Sequence, residues 1–220
     1  MANAVTKVNG IAIADIAKIS GQNDSDLAKL NALEFTGVTD AHVLISTHTA
    51  SGSSSLDIES GIDSTYAVYE FHFLSLHPAT NAYYPSFRAS VNGGSSYGVA
   101  TTSNYVRNYH GESGGGATPA YVTSYDAAEE ASDPIYLAED VGHDDADKTM
   151  SGKLTLYDPS SAYVKHFIAE TNACNGSDQQ SHQLIGGYIN TTSAVNAMRF
   201  QFSHGNMDSG VVKMYGLAKS

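Results

Sequence analysis

The segment His143-Asp144-Asp145-Ala146-Asp147 gathers three carboxylates and one imidazole in a single stretch. Hard cations such as calcium bind through several such oxygens, so Asp144, Asp145 and Asp147 are the candidate metal ligands of the chain. An EF-hand read from Asp145 fails. Its sixth position is Met150 instead of Gly, and its twelfth is Leu156 instead of Glu. A solvated acidic loop is the plainer reading, and we expect no resident metal or other cofactor. Nine histidines are scattered along the chain. His42 and His48, or His72 and His77, lack the spacing and cysteines of a closed zinc site, and surface or strand-edge positions account for them.

His110-Gly111-Glu112-Ser113-Gly114-Gly115 places a serine among glycines, the setting of a nucleophilic hydrolase. Such a serine needs a positioned base and oxyanion donors. The segment has Glu where serine proteases of the Gly-Asp-Ser-Gly-Gly kind have Asp, and no Ala-Ala-His-Cys segment precedes it. A glycine loop after a strand explains it, and the chain is not expected to be an enzyme.

Fourteen tyrosines and no tryptophan raise a third chemistry. Exposed aromatic rings can stack on sugar faces, and Tyr83, Tyr84, Tyr97 and Tyr121 lie in or beside predicted loops. They are the candidate contacts to a surface glycan. Tyrosine also suits strands and subunit contacts, being apolar along its ring and polar at its tip.

The elements that would carry these residues are strands. Met198, Phe200 and Phe202 alternate with Arg199, Gln201 and Ser203, the period of a half-buried strand. Gly205, Asn206 and Gly210 follow, then Val211 to Tyr215, which reads as a closing hairpin. In Tyr66 to Leu76, Ala67, Tyr69, Phe71 and Phe73 share one side, and Val68, Glu70 and His72 share the other. Phe87, Ala89 and Val91 alternate before Gly93-Gly94, a second hairpin signal. A short helical piece is expected around Tyr125 to Ala131. About eight to ten strands and no core helix predict an all-β chain, an antiparallel β-sandwich of jelly-roll type.

The first 37 residues differ. Ile11, Ile13, Ile16 and Ile19 sit among small residues, and Ala14-Asp15-Ile16-Ala17-Lys18-Ile19 is echoed by Ser25-Asp26-Leu27-Ala28-Lys29-Leu30. Neither copy can bury its apolar face alone. We expect residues 1–37 to be an N-terminal arm docking on a larger partner through Ile11, Ile13, Ile16, Ile19, Leu27 and Leu30. Residues 38–220 would form the sandwich.

Composition narrows the partners. The 220 residues carry a formal net charge of −12, which repels phosphate backbones and gives no basic patch for anionic lipid. No nucleic acid and no membrane insertion are expected. The single cysteine, Cys174, forms no intrachain disulfide. No secretory signal is expected either, because the N-terminus lacks a continuous apolar region.

Several segments together resemble structural proteins of tailed phages, common among marine phages. They are Ile58-Glu59-Ser60-Gly61-Ile62-Asp63-Ser64-Thr65-Tyr66; His77-Pro78-Ala79-Thr80; Leu156-Tyr157-Asp158-Pro159-Ser160-Ser161; Gly187-Tyr188-Ile189-Asn190-Thr191-Thr192; and Lys213-Met214-Tyr215-Gly216-Leu217. Val8-Asn9-Gly10-Ile11-Ala12-Ile13-Ala14 is similar to short repeats that open many phage appendage proteins. The resemblance implies a virion component made in the host cytoplasm, a decoration or appendage of head or tail, with other capsid or tail proteins as partners. By the same analogy the projecting domain would be a homo-trimer. A carbohydrate-binding module or receptor-binding adhesin is the alternative.

Overall fold

The structure, a computed structural model, describes residues 7–8, 11–12, 18–19, 22–23, 29–30, 33–34, 42–80, 83–116 and 119–217. The chain divides into two compact units, Met1–Asp40 and Ala41–Ser220. Among the described residues there is no α-helix, and so none long and apolar enough to cross a membrane.

The described residues of the N-terminal unit form three short antiparallel strand pairs. β1 (Lys7–Val8) pairs with β2 (Ile11–Ala12), β3 (Lys18–Ile19) with β4 (Gln22–Asn23), and β5 (Lys29–Leu30) with β6 (Leu33–Glu34). Lys7, Lys18 and Lys29 open the three hairpins at a constant spacing. The echo read in the sequence is therefore the second and third copy of a repeat that starts earlier, near Lys7. Of the docking candidates, Ile11, Ile19 and Leu30 lie in these strands. Ile13, Ile16 and Leu27 lie outside the described residues.

The second unit is a sandwich of two antiparallel sheets packed face to face, as the strand pattern predicts. The larger sheet contains β7 (His42–Thr49), β9 (Val68–Pro78), β11 (Thr101–Gly111), β12 (Ala120–Tyr121), β13 (Ala127–Glu130), β15 (Met150–Tyr157), β16 (Lys165–Cys174), β17 (Gln179–Ile189) and β19 (Met207–Leu217). Its order is β12-β11-β17-β16-β15-β9-β19-β7, with β13 also pairing with β11. The smaller sheet runs β14-β10-β18-β8, from β8 (Leu56–Ile58), β10 (Pro85–Ser90), β14 (Ile135–Tyr136) and β18 (Ala197–Phe202). From β7 to β11 the chain changes sheet at every connection, which closes one core between the layers.

That core follows from alternation. In β16, Lys165, Phe167, Ala169, Thr171 and Ala173 are buried, while His166, Ile168, Glu170 and Asn172 face out. Tyr69, Phe71 and Phe73 of β9 point inward, as do Met198, Phe200 and Phe202 of β18. Across the sandwich, Phe200 meets Phe71 and Phe73 with ring centroids 5.3 and 5.2 Å apart, and Phe87 meets Phe167 edge-on at 5.0 Å. A bulge interrupts the alternation in β9: Ser75 has φ 48°, and beyond it Leu76 and Pro78 turn inward.

Three local expectations are corrected. β18 and β19 do not form a hairpin. β18 pairs with β10 and β8 in the smaller sheet, and β19 pairs with β9 and β7 in the larger one. The reason is that both strands have a strongly apolar face, and these faces meet across the core instead of lying side by side. Gly93 and Gly94 likewise make a turn between sheets, from β10 to β11, with positive φ at both glycines. The segment expected to be helical, Tyr125 to Ala131, starts on the last residue of a 3₁₀ turn, Thr123–Tyr125, and continues as strand β13, because pairing with β11 overrides its weak helical preference.

Candidate functional site

The residues singled out from sequence do not converge. Ser113 is exposed at the tip of a turn closed by Gly111 N–H to Gly115 O (2.8 Å) and Gly114 N–H to Gly111 O (2.9 Å). Among the described residues no hydrogen bond joins it to a histidine. The acidic loop already holds a cation of its own. The Lys148 ammonium lies 2.9 Å from Asp144 Oδ1 and 2.8 Å from Asp178 Oδ1, and its hydrogen bonds to Asp178 and Asp144 hold its pKa above the ordinary lysine value. Asp145 accepts the N–H of Ala146 at 2.7 Å, and Asp147 is exposed.

The four glycan candidates are also apart. Tyr83 lies against His204, with ring centroids 5.5 Å apart, and Tyr84 packs on Tyr125 and Tyr136 at 5.6 and 5.0 Å. Tyr97 is buried under the Arg199 guanidinium, 4.2 Å from its ring, where burial pushes its pKa up to about 12. Tyr121 is exposed and donates to Asp126 Oδ2 at 2.6 Å. Only Tyr121 of the four presents an open ring.

Between the sheets, Arg107 pairs with the buried carboxylate of Glu139, near the buried Tyr105 hydroxyl. Burial pushes the Glu139 pKa up although Arg107 opposes it. Tyr105 and Glu139 are sealed from solvent, and only the Arg107 side chain of this cluster is partly exposed.

The arrangement that sequence reading missed is the outward face of the larger sheet. Leu44, Leu74, Tyr157, Ile168 and Leu184 all lie there, each between 39% and 51% exposed. In register, Ile168 sits beside Thr155, Thr155 beside Glu70, Glu70 beside Tyr215 and Tyr215 beside Leu44. One row of side chains thus crosses five strands. Leu184 lies between Val106 and Glu170 in the next row.

At the β7 edge of this face, His42 Nε2 and His72 Nε2 reach the same oxygen, Glu70 Oε2, at 3.0 and 2.8 Å. Lys153 Nζ contacts the other oxygen, Oε1, at 3.1 Å. Tyr215, from the strand between β7 and β9, packs its ring 4.8 Å from His42 and 4.9 Å from His72. Burial alone would raise the Glu70 pKa, but the His72 and Lys153 hydrogen bonds outweigh it and hold the carboxyl below its usual range. The sequence carried half of this signal: Glu70 and His72 share a strand face. His42 arrives from a strand that is not even adjacent to β9, a placement no local spacing reveals.

Compared with known proteins, the chain matches no family model, no curated protein and no solved structure.

Proposed function

We propose that this chain is a non-enzymatic structural subunit of a bacteriophage virion, a decoration or appendage of head or tail. Its repeat-built N-terminal segment docks on other virion proteins, and its sandwich self-associates through the outer face of the larger sheet. One observation carries the reading. Large apolar side chains that could have been buried are instead collected on a single sheet face, the mark of an interaction surface. A second copy of the chain is the occupant, with the trimer expected by analogy. The chain is strongly acidic as a whole, yet across the middle of this face Lys153 and Lys213 stand against Glu70 and Glu170. Copies packed around a three-fold axis therefore meet along this face without the repulsion that net charge imposes elsewhere. The resemblance to phage structural proteins supplies the virion setting. The glycan-binding alternative has less support, because the rings of Tyr83, Tyr84 and Tyr97 pack on neighbouring side chains.

The test is light scattering on the full chain at micromolar concentration. The parent is expected to show the mass of a trimer, and the double variant Ile168→Glu, Leu184→Glu the mass of a monomer. A monomeric parent, or a double variant that still associates, would overturn this use of the face.

A further inference from the structure

We propose that His42, Glu70 and His72 form a binding site for a divalent transition metal, zinc being the best fit. The inference does not need the self-association above, since it rests on the convergence of three side chains, although Glu70 also lies in the row that crosses this face.

The geometry begins with convergence. Two imidazole nitrogens point at one carboxylate oxygen, and the three possible ligand atoms all lie within 4.8 Å of one another. Zinc binds His nitrogen and carboxylate oxygen at about 2.0–2.2 Å in a tetrahedron, which sets its ligand atoms about 3.4 Å apart. The two contacts to Glu70 Oε2 need to open by only about half an ångström to admit the ion between them. Two imidazoles and one carboxylate are a donor set for zinc, cobalt, nickel or copper. Calcium and magnesium prefer oxygen alone.

The surroundings favour an ion over a simple hydrogen-bonded cluster in two ways. The first is support. Tyr215 packs against both imidazoles, so the rings are held in place before any metal arrives. Lys153 occupies Glu70 Oε1, leaving Oε2 as the one oxygen aimed at both histidines, in the manner of an outer partner that orients a metal ligand. The second is access. The His42 and His72 side chains are 44% and 33% exposed, whereas Glu70 lies beneath them at 11%. A bound ion would sit with its fourth position toward solvent, open to water or to a group from another molecule. Lys153 is half exposed and already on the far oxygen, so its ammonium does not occupy the position of the ion.

The test is calorimetric titration of the full chain, stripped of metal, with zinc chloride alone near neutral pH. One ion per chain is expected, with a dissociation constant in the micromolar range or tighter. His42→Ala and His72→Ala each remove one ligand from an exposed position and leave the core intact, and each should weaken binding at least tenfold. His166→Ala and His182→Ala, on the same face but outside the cluster, should leave it unchanged. Circular dichroism confirms that every variant is folded. No zinc binding by the parent would overturn the proposal. So would a loss of less than tenfold in either cluster variant, or an equal loss in the control variants.

Discussion

Phe200→Ala is expected to lower the unfolding free energy by about 3–5 kcal/mol, through lost burial and the cavity left behind. Phe200 is fully enclosed and lies between Phe71 and Phe73 of the opposite sheet. Its removal therefore opens the core at the point where the two layers meet. The neighbouring position gives the contrast. Arg199 is on the other face of β18, but it is not a bare surface arginine. Its Nε and terminal nitrogen donate to both oxygens of Asp57 at 2.7 and 2.6 Å, and its guanidinium covers Tyr97. Arg199→Ala should then cost about 1–3 kcal/mol, the range for a hydrogen-bonded charged group. Urea denaturation followed by circular dichroism reads both values. A Phe200→Ala midpoint close to the parent's would mean that β18 is inverted in register.

Lys165→Met should destabilise the fold by about 1–3 kcal/mol, the range for buried carbonyl groups that lose a charged hydrogen-bond donor. Lys165 is 0% exposed, an unusual position for a lysine. Its ammonium is not stranded there. It donates to the carbonyl oxygens of Ser161 at 2.9 Å, Thr191 at 3.0 Å and Tyr163. It thereby ties the loop before β16 to the loop after β17. Burial pulls its pKa below the ordinary lysine value, and only the Asp158 charge pushes it back. Methionine keeps the length of the stem but supplies no donor, so three carbonyls lose their shared partner. Proteolysis in native buffer gives a local check: cleavage near Ser161 or Thr191 should rise in the variant. A variant as stable as the parent would show that water satisfies these carbonyls without the lysine.

How far the sequence could be read depended on whether a feature is local. The inward faces of β9, β16 and β18 were visible because a side-chain period of two is a property of each strand by itself. Which strand lies beside which is a property of the whole chain. That is why Gly205, Asn206 and Gly210 read as a hairpin turn, whereas the chain crosses between sheets at residues 203–206 and Gly210 lies within β19. The same limit explains the sites. Asp144, Asp145 and Asp147 were visible as a charge cluster, but the counter-charge on Lys148 depends on Asp178 as well, brought in from the turn between β16 and β17. Tyr97 does lie in a loop, but Arg199, distant in sequence, covers its ring and buries it. The histidine cluster needed β19 to be inserted between β7 and β9, with Tyr215 at the right register. The repeat of the N-terminal unit is half visible, since its first copy shares Lys7-Val8-Asn9-Gly10 with Lys18-Ile19-Ser20-Gly21 but lacks the Asp-apolar-Ala that precedes the lysine in the other two.

The central claim, a structural subunit of a virion, is tested most directly by a mass-spectrometric inventory of purified phage particles. The chain is expected among the particle proteins, in many copies and at an amount that stays fixed relative to the major structural proteins through successive purification steps. Its absence from intact particles, with the chain abundant in the infected-cell lysate, would contradict the account.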